Sequence, residues 1–175
     1  MRHDILIDGY NVIKNNEPFR SAQKHGLPHT RNLLIRQLIS RYRHTPHQVT
    51  VVFDGDGAHE QITHEQSVRI IFSRRGETAD HVIARLAVQA REQGREVETY
   101  SNDLEVRQSV TESGGATRST HQLTRQLNAP PSDVGRKFEH RQKAIRSYGL
   151  YPHLKDWDEE ASYRPPRKGK KSRRK

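Results

Sequence analysis

The chain has 175 residues and a formal net charge of +10 at pH 7. Hydrophobic residues make up 31% of it, and it contains no cysteine. This length suits one domain with appendages, and the lack of cysteine excludes disulfide frameworks and thiolate metal sites. No apolar run approaches the roughly 20 residues that cross a bilayer. The first predicted strand begins at Ile5, which leaves no room for a signal peptide. We therefore expect a cytoplasmic protein without a membrane segment.

Strand and helix signals alternate along the first 150 residues. Short apolar runs that end at polar or turn-forming residues predict strands, at residues 5–7, 48–53, 67–72, 96–101 and 116–118. Helical spacing of apolar residues predicts helices, at about residues 30–43, 78–93 and 103–113 and in two segments before residue 150 that are separated at Pro130 and Pro131. Thr30 and Thr78 are the expected N-caps. Residues 14–28, with two prolines and Gly26, are predicted to be a polar loop. The alternation indicates an α/β fold with a mainly parallel sheet flanked by helices.

Acidic side chains recur where predicted strands end and helices begin. Asp8, Asp54 and Asp103 follow strands, and Asp80 stands in the first turn of a helix. Each has an ordinary explanation alone, because Asp is common in turns and in the first turn of a helix. Together at one edge of a parallel sheet, however, they would repel one another unless hard divalent cations offset their charge. Paired cations of this kind support phosphodiester hydrolysis.

The acidic positions lie within four short motifs that follow one another along residues 4–128. These are Asp8-Gly9-Tyr10-Asn11, Phe53-Asp54-Gly55, Glu77-Thr78-Ala79-Asp80 and Ser101-Asn102-Asp103. In type and order they resemble the motifs of the NYN domain, in particular those of its YacP-like branch of the PIN-like ribonucleases. The resemblance implies a Rossmann-like PIN fold over residues 1–150 and a C-terminal extension over 151–175.

The resemblance also implies an activity and a set of site residues. The activity is that of an endoribonuclease dependent on Mg²⁺ or Mn²⁺, with RNA as substrate and the ribosome as a further partner. Asp8, Asp54, Asp80 and Asp103 would form the catalytic, metal-binding centre. Asn11 would orient Asp8 or a metal-bound water. His81 departs from the pattern, because related PIN proteins often have a second acidic residue after Asp80.

Most of the candidate RNA contacts are basic residues, and most of the positive charge lies at the end of the chain. Residues 164–175 contain eight Lys and Arg residues and no acid, which leaves +2 for the rest. This tail, rich in Pro, Gly and Ser, is expected to be disordered and attracted to polyanions. Nucleic acid is favoured over an anionic membrane because no amphipathic apolar pattern accompanies the charges. The candidate contacts are Arg74, Arg75, Asn102, Arg167, Lys168, Lys170, Lys171, Arg173 and Arg174.

Several alternatives remain open from the sequence. Asp54-Gly55-Asp56-Gly57 resembles the start of haloacid-dehalogenase-type phosphatases, in which the first Asp is a nucleophile, although here it lies in mid-chain. A non-catalytic RNA- or ribosome-binding protein is the other alternative. Tyr10 could stack on a base or pack beneath its turn, and Trp157 could dock on a partner or on the domain. His59 and His64 are five residues apart, which excludes a zinc-protease helix.

Deleting residues 164–175 should weaken RNA binding and flatten its dependence on salt. On a single strand, removing one phosphate-binding cation reduces the slope of log affinity against log salt concentration by roughly 0.7. Cleavage of short RNA at saturating concentration should barely change. The measurement is the RNA affinity of the full-length and truncated chains across a salt series. An unchanged slope would show that the tail takes no part in binding.

Overall fold

A computed structural model of the chain describes residues 3–129. The chain divides into two units, Met1–Pro131 and Ser132–Lys175, and the description concerns the first. The strands are β1 His3–Asp8, β2 Gln48–Phe53, β3 Gln61–Glu65, β4 Val68–Phe72, β5 Glu96–Tyr100 and β6 Ala116–Arg118. The helices are α1 Gly9–Asn15, α2 Glu17–Ala22, α3 Leu27–Tyr42, α4 Ala79–Glu92, α5 Leu104–Glu112 and α6 Thr120–Asn128, with a 3-10 turn at Gln23–His25.

The strands form one sheet in the order β3-β4-β2-β1-β5-β6. Five strands run parallel, and β3 pairs antiparallel with β4 at one edge. The predicted α/β class with a mainly parallel sheet is confirmed. The chain passes from β1 to β2 on one side of β1, whereas β5 lies on the other side. Ligands of open α/β sheets bind at such a reversal of strand order, beyond the carboxyl ends of the strands.

Helices cover both faces of the sheet, and alternating side chains of each strand fill two cores. On β1, Ile5 and Ile7 pack into the core beneath α1, α2, α3 and α6, whereas Leu6 packs into the core beneath α4 and α5. Phe19 and Phe53 are fully buried in the first core. The burial of both faces explains why the central strands are continuous apolar runs. None of the helices in residues 3–129 combines the length and apolar character that a membrane crossing requires.

The prediction of a polar loop over residues 14–28 is wrong, because this stretch contains the end of α1, all of α2, the 3-10 turn and the start of α3. Pro18 and Pro28 each stand in the first turn of a helix, where the missing N–H costs nothing. Between α1 and α2, the buried side chain of Asn16 donates a hydrogen bond to the Val12 carbonyl at 2.7 Å. Phe19 then anchors α2 in the core.

Two further local predictions differ from the structure. Thr30 is not an N-cap, because α3 begins at Leu27 after Gly26 and the Thr30 hydroxyl donates to the Gly26 carbonyl at 3.1 Å. Strand β3 has no counterpart among the predicted strands, since all five of its residues are exposed and carry no apolar alternation. Thr78, by contrast, is confirmed as the N-cap of α4. The second helix predicted before residue 150 lies outside the described residues, and the domain boundary at residue 150 stays a prediction.

Candidate acidic site

Four of the predicted site residues lie where strands of the parallel sheet end and helices begin. They are Asp8, the N-cap of α1; Asp54, directly after β2; Asp80, in the first turn of α4; and Asp103, the N-cap of α5. Since β1 lies between β2 and β5, Asp8 is central to the group. Its side chain is buried, with 6% of its surface exposed, whereas Asp54 is exposed and the other two are half-buried.

Backbone N–H groups hold three of these carboxylates by one oxygen each. The bonds are Asn11 N to Asp8 Oδ1 at 3.0 Å, Ala79 N to Asp54 Oδ1 at 2.8 Å, and Glu105 N to Asp103 Oδ1 at 2.9 Å. All three donors belong to the first turns of helices, whose free N–H groups and dipoles favour negative charge. Within residues 3–129, the second oxygens of Asp54 and Asp103 accept no hydrogen bond. Those oxygens remain available to a ligand.

The Ser101 side chain links Asp8, after β1, to the backbone of Asp103, which follows the neighbouring strand β5. Ser101 is fully buried. Its hydroxyl donates to Asp8 Oδ2 at 3.3 Å and accepts from the Asp103 backbone N–H at 3.0 Å. The relative position of Asp8 and Asp103 is therefore fixed through one side chain.

Asn11 and Asn102 form hydrogen bonds that link neighbouring elements around the acidic group. The Asn11 backbone N–H, rather than its side chain, bonds to Asp8. The Asn11 side-chain oxygen accepts from the Asn102 backbone N–H at 2.9 Å. Asn102 in turn accepts, through its own side-chain oxygen, from Thr120 N at 3.0 Å. These two side chains join α1, the β5–α5 connection and α6 around the acidic group.

Burial and mutual repulsion raise the pKa values of two of the acids. The pKa of Asp8 rises from 3.8 to about 6, mainly because the carboxyl is buried, and the charges of Asp80 and Asp54 raise it further. Burial also raises the pKa of Asp80, with added repulsion from Asp103, Asp54 and Glu105. The four predicted carboxylates are thus close enough to affect one another's charge. Strongly perturbed pKa values cluster at functional sites.

The donor atoms suit a hard divalent cation, although the protein alone does not form a closed cage. Among the described residues, no group of three or more His, Cys, Asp and Glu side chains is close enough to hold a metal ion by itself. Mg²⁺ typically takes one or two carboxylates and completes its coordination with waters and substrate phosphates. The carboxylate oxygens left free on Asp54 and Asp103 fit that mode of binding. The metal ligands named from the sequence therefore stay a prediction.

Arg74 and Arg75, in the loop before α4, form an ion pair and hydrogen bonds with neighbouring residues. The Arg74 guanidinium pairs with Glu77 at 3.1 Å. The Arg75 side chain donates to the Asp56 carbonyl at 3.2 Å, and its backbone N–H donates to the Gly57 carbonyl at 2.7 Å. Both side chains are exposed. The basic residues of the tail, like Trp157, lie outside the described residues.

The structure adds two residues to which the sequence assigns no role. Ser101 lies within one of the four motifs, and Ser73, directly after β4, falls in a predicted loop. Ser73 is fully buried, and its hydroxyl accepts from Gly55 N at 3.1 Å, next to Asp54. A side chain on Gly55 would collide with the Ser73 carbonyl at 2.1 Å, so the glycine is required by close packing. Both serines follow strands as the acids do, which is the signal that could have identified them.

Comparisons with known proteins bear on the family and the fold of the chain. The family model described as YacP-like NYN domain matches residues 5–161. The protein of Bacillus subtilis (strain 168) named "Uncharacterized protein YacP" is 25% identical over 146 residues, which are 82% of this chain and 83% of that protein. The crystal structure of Rae1 (YacP) from Bacillus subtilis is similar with a TM-score of 0.62 at 25% identity, over 82% of this chain and 81% of that one. A tryptophan-to-leucine variant of Rae1 gives a TM-score of 0.64 at 25% identity, over 83% and 85% of the two chains.

Without divalent cations, ionisation of Asp8 should lower the stability of the fold. The folded chain keeps the Asp8 proton up to about pH 6, whereas a free Asp releases it near 3.8. Protonated Asp8 therefore stabilises the folded chain relative to ionised Asp8 by about 3 kcal/mol. This stabilisation is complete below pH 4 and is lost as the pH rises through 6. Asp8→Asn carries no such ionisation. Its melting temperature relative to the wild type should rise by roughly 6–12 °C between pH 4 and pH 7.

Thermal melts in EDTA across this pH range measure the difference. Asp56→Asn, which changes an exposed carboxylate in the neighbouring turn, is the matched control and should melt in parallel with the wild type. If the Asp8→Asn variant melts below the wild type at pH 7, the buried carboxylate supports the fold instead of straining it.

Proposed function

Because this chain belongs to the YacP-like NYN domain family, a family of PIN-like nucleases, we propose that it is an endoribonuclease that uses Mg²⁺ or Mn²⁺ to hydrolyse RNA. The observation that carries the proposal is the gathering of Asp8, Asp54, Asp80 and Asp103 at one edge of the sheet. Repulsion among them opposes the apo fold, and a cation would relieve it. The cluster is therefore better suited to binding a cation than to stabilising the fold by itself.

Each residue has a distinct part in the proposed reaction. One or two of the four carboxylates, with waters and substrate phosphate, would hold the cation, which when bound polarises a phosphoryl oxygen and makes a water more acidic. Asp8 is oriented by Asn11 N and by the Ser101 hydroxyl, so its position does not depend on the ligand. In residues 3–129 the Asn11 side-chain amide donates no hydrogen bond, which leaves its N–H groups free for a substrate oxygen or a water.

The proposed substrate is single-stranded RNA in the cytoplasm, including RNA presented by the ribosome. The net charge of +10 favours a polyanionic partner. The acidic group itself repels phosphate, so cations from the medium and the basic residues of the chain must overcome that repulsion. Arg74, Arg75 and the basic tail would supply affinity without preference for particular bases.

Replacing Asp8 or Asp103 by Asn should abolish cleavage while leaving RNA binding nearly unchanged. Loss of a group that merely orients a metal ligand typically costs 10- to 100-fold, so loss of a ligand should cost more than about 100-fold. The matched control is Glu65→Gln, which removes one negative charge at an exposed position of β3 beside the start of β4 and should cleave normally. The measurements are cleavage rates with Mn²⁺ and Mg²⁺, and binding in EDTA, where the wild type should also be inactive.

The same assays separate the two alternative functions. A wild type that binds RNA but cuts nothing with either cation would be a non-catalytic RNA- or ribosome-binding protein. Hydrolysis of a phosphate monoester that requires Asp54 but tolerates Asp8→Asn and Asp103→Asn would indicate a phosphatase with Asp54 as nucleophile.

A further inference from the structure

A cavity of about 510 Å³ opens beside the acidic group, and its walls differ in chemistry from that group. Asp54 lines the cavity and also belongs to the acidic site. The rest of the wall includes the aromatic rings of Tyr10 and Phe72 and the guanidinium of Arg31 from α3. Anything bound in this cavity would therefore lie next to the proposed reacting phosphate.

The aromatic and cationic groups of this cavity are held rigidly. Phe53, fully buried, packs edge-on against Tyr10 with ring centroids 5.1 Å apart and stacks on Phe72 at 5.4 Å. Arg31 lies over the Phe72 ring, 5.3 Å from its centroid, and donates to the Tyr10 hydroxyl at 2.7 Å. Gly9 permits this arrangement, because a side chain there would collide with the Phe53 ring at 2.2 Å. Arg31 is thus fixed by a ring below it and a hydroxyl at its edge.

The partners of Arg31 indicate what the cavity can accept. Asp54 and Asp56 line the same cavity, yet within the described residues neither forms an ion pair with Arg31. A phosphate entering the cavity would meet the charge of these two carboxylates. A neutral nucleobase would not be repelled and would find flat surfaces to stack on. Arginine planes and aromatic rings are the usual stacking partners of unpaired RNA bases.

We propose that this cavity is a nucleobase subsite of the proposed endoribonuclease. The base next to the cleaved phosphodiester bond stacks on the Arg31 guanidinium and against Tyr10, and Gln61 and Asp56 provide polar atoms at its edge. The inference rests on the proposed function for its substrate, RNA. Arg31 and Tyr10 would then recognise the substrate, and residues of this domain would select the position at which the RNA is cut.

Binding of short RNA in EDTA tests the subsite without requiring cleavage. The probe is a five-nucleotide RNA with 2-aminopurine at each position in turn, because the fluorescence of this base is quenched when it stacks. Arg31→Lys keeps the positive charge but removes the planar guanidinium on which a base would stack. It should weaken binding roughly fivefold or more, which corresponds to about one stacked base, and should relieve the quenching seen with the wild type. The salt dependence of binding should not change.

Two controls make the result specific. Arg36→Lys, at an exposed position of the same helix, should bind and quench like the wild type. An RNA that lacks the quenched base should bind the wild type and Arg31→Lys equally. The proposal is overturned if Arg31→Lys quenches like the wild type, if it loses affinity equally for the RNA without the base, or if the wild type binds without quenching. Failure of the nuclease proposal would appear separately, as RNA that is bound and quenched but not cut when Mn²⁺ is added.

Discussion

Repulsion among carboxylates at one edge of a parallel sheet is the constraint on which the rest of this structure depends. The fold opposes that repulsion with the N-termini of three helices, α1, α4 and α5, each of which directs a backbone N–H at one of the acids. It adds a buried hydroxyl, Ser101, between Asp8 and Asp103. These donors compensate only in part, because burial and, to a smaller extent, the charges of Asp80 and Asp54 still raise the pKa of Asp8 to about 6. A bound cation would offset the cost of both the buried charge and the repulsion.

In the proposed complex, the acidic edge and the cavity beside it would bind different parts of the RNA, the phosphate and the base. The acids can receive a phosphate only through a cation, whereas Tyr10 and Arg31 present flat surfaces that suit a base. Asp54 lies at the boundary of both, at the end of β2. Phe53 lies directly before Asp54 and packs against the Tyr10 and Phe72 rings of the cavity. The end of β2 therefore positions both the proposed catalytic group and the proposed base-binding surface.

Much of the fold and the clustering of the four acids could be predicted from the sequence, since both depend on local patterns. Strands buried on both faces appear as apolar runs, and the acids stand directly after them, so the family resemblance drawn from those motifs is confirmed. The errors have physical causes. Pro18 and Pro28 resemble loop markers but occupy first turns of helices. Strand β3 is exposed along its length and carries no periodic signal. The contacts of Ser73 and Arg31 join residues far apart in the sequence, which spacing along the chain does not reveal.

The central claim, that the acidic edge binds a divalent cation, is tested most directly by a crystal soaked in Mn²⁺. Anomalous difference density should then appear between Asp8 and Asp103, within coordination distance of a carboxylate oxygen of each. The claim would be contradicted by a crystal that holds Mn²⁺ elsewhere, or nowhere, while the two carboxylates keep only their hydrogen bonds to Asn11, Ser101 and the first turn of α5.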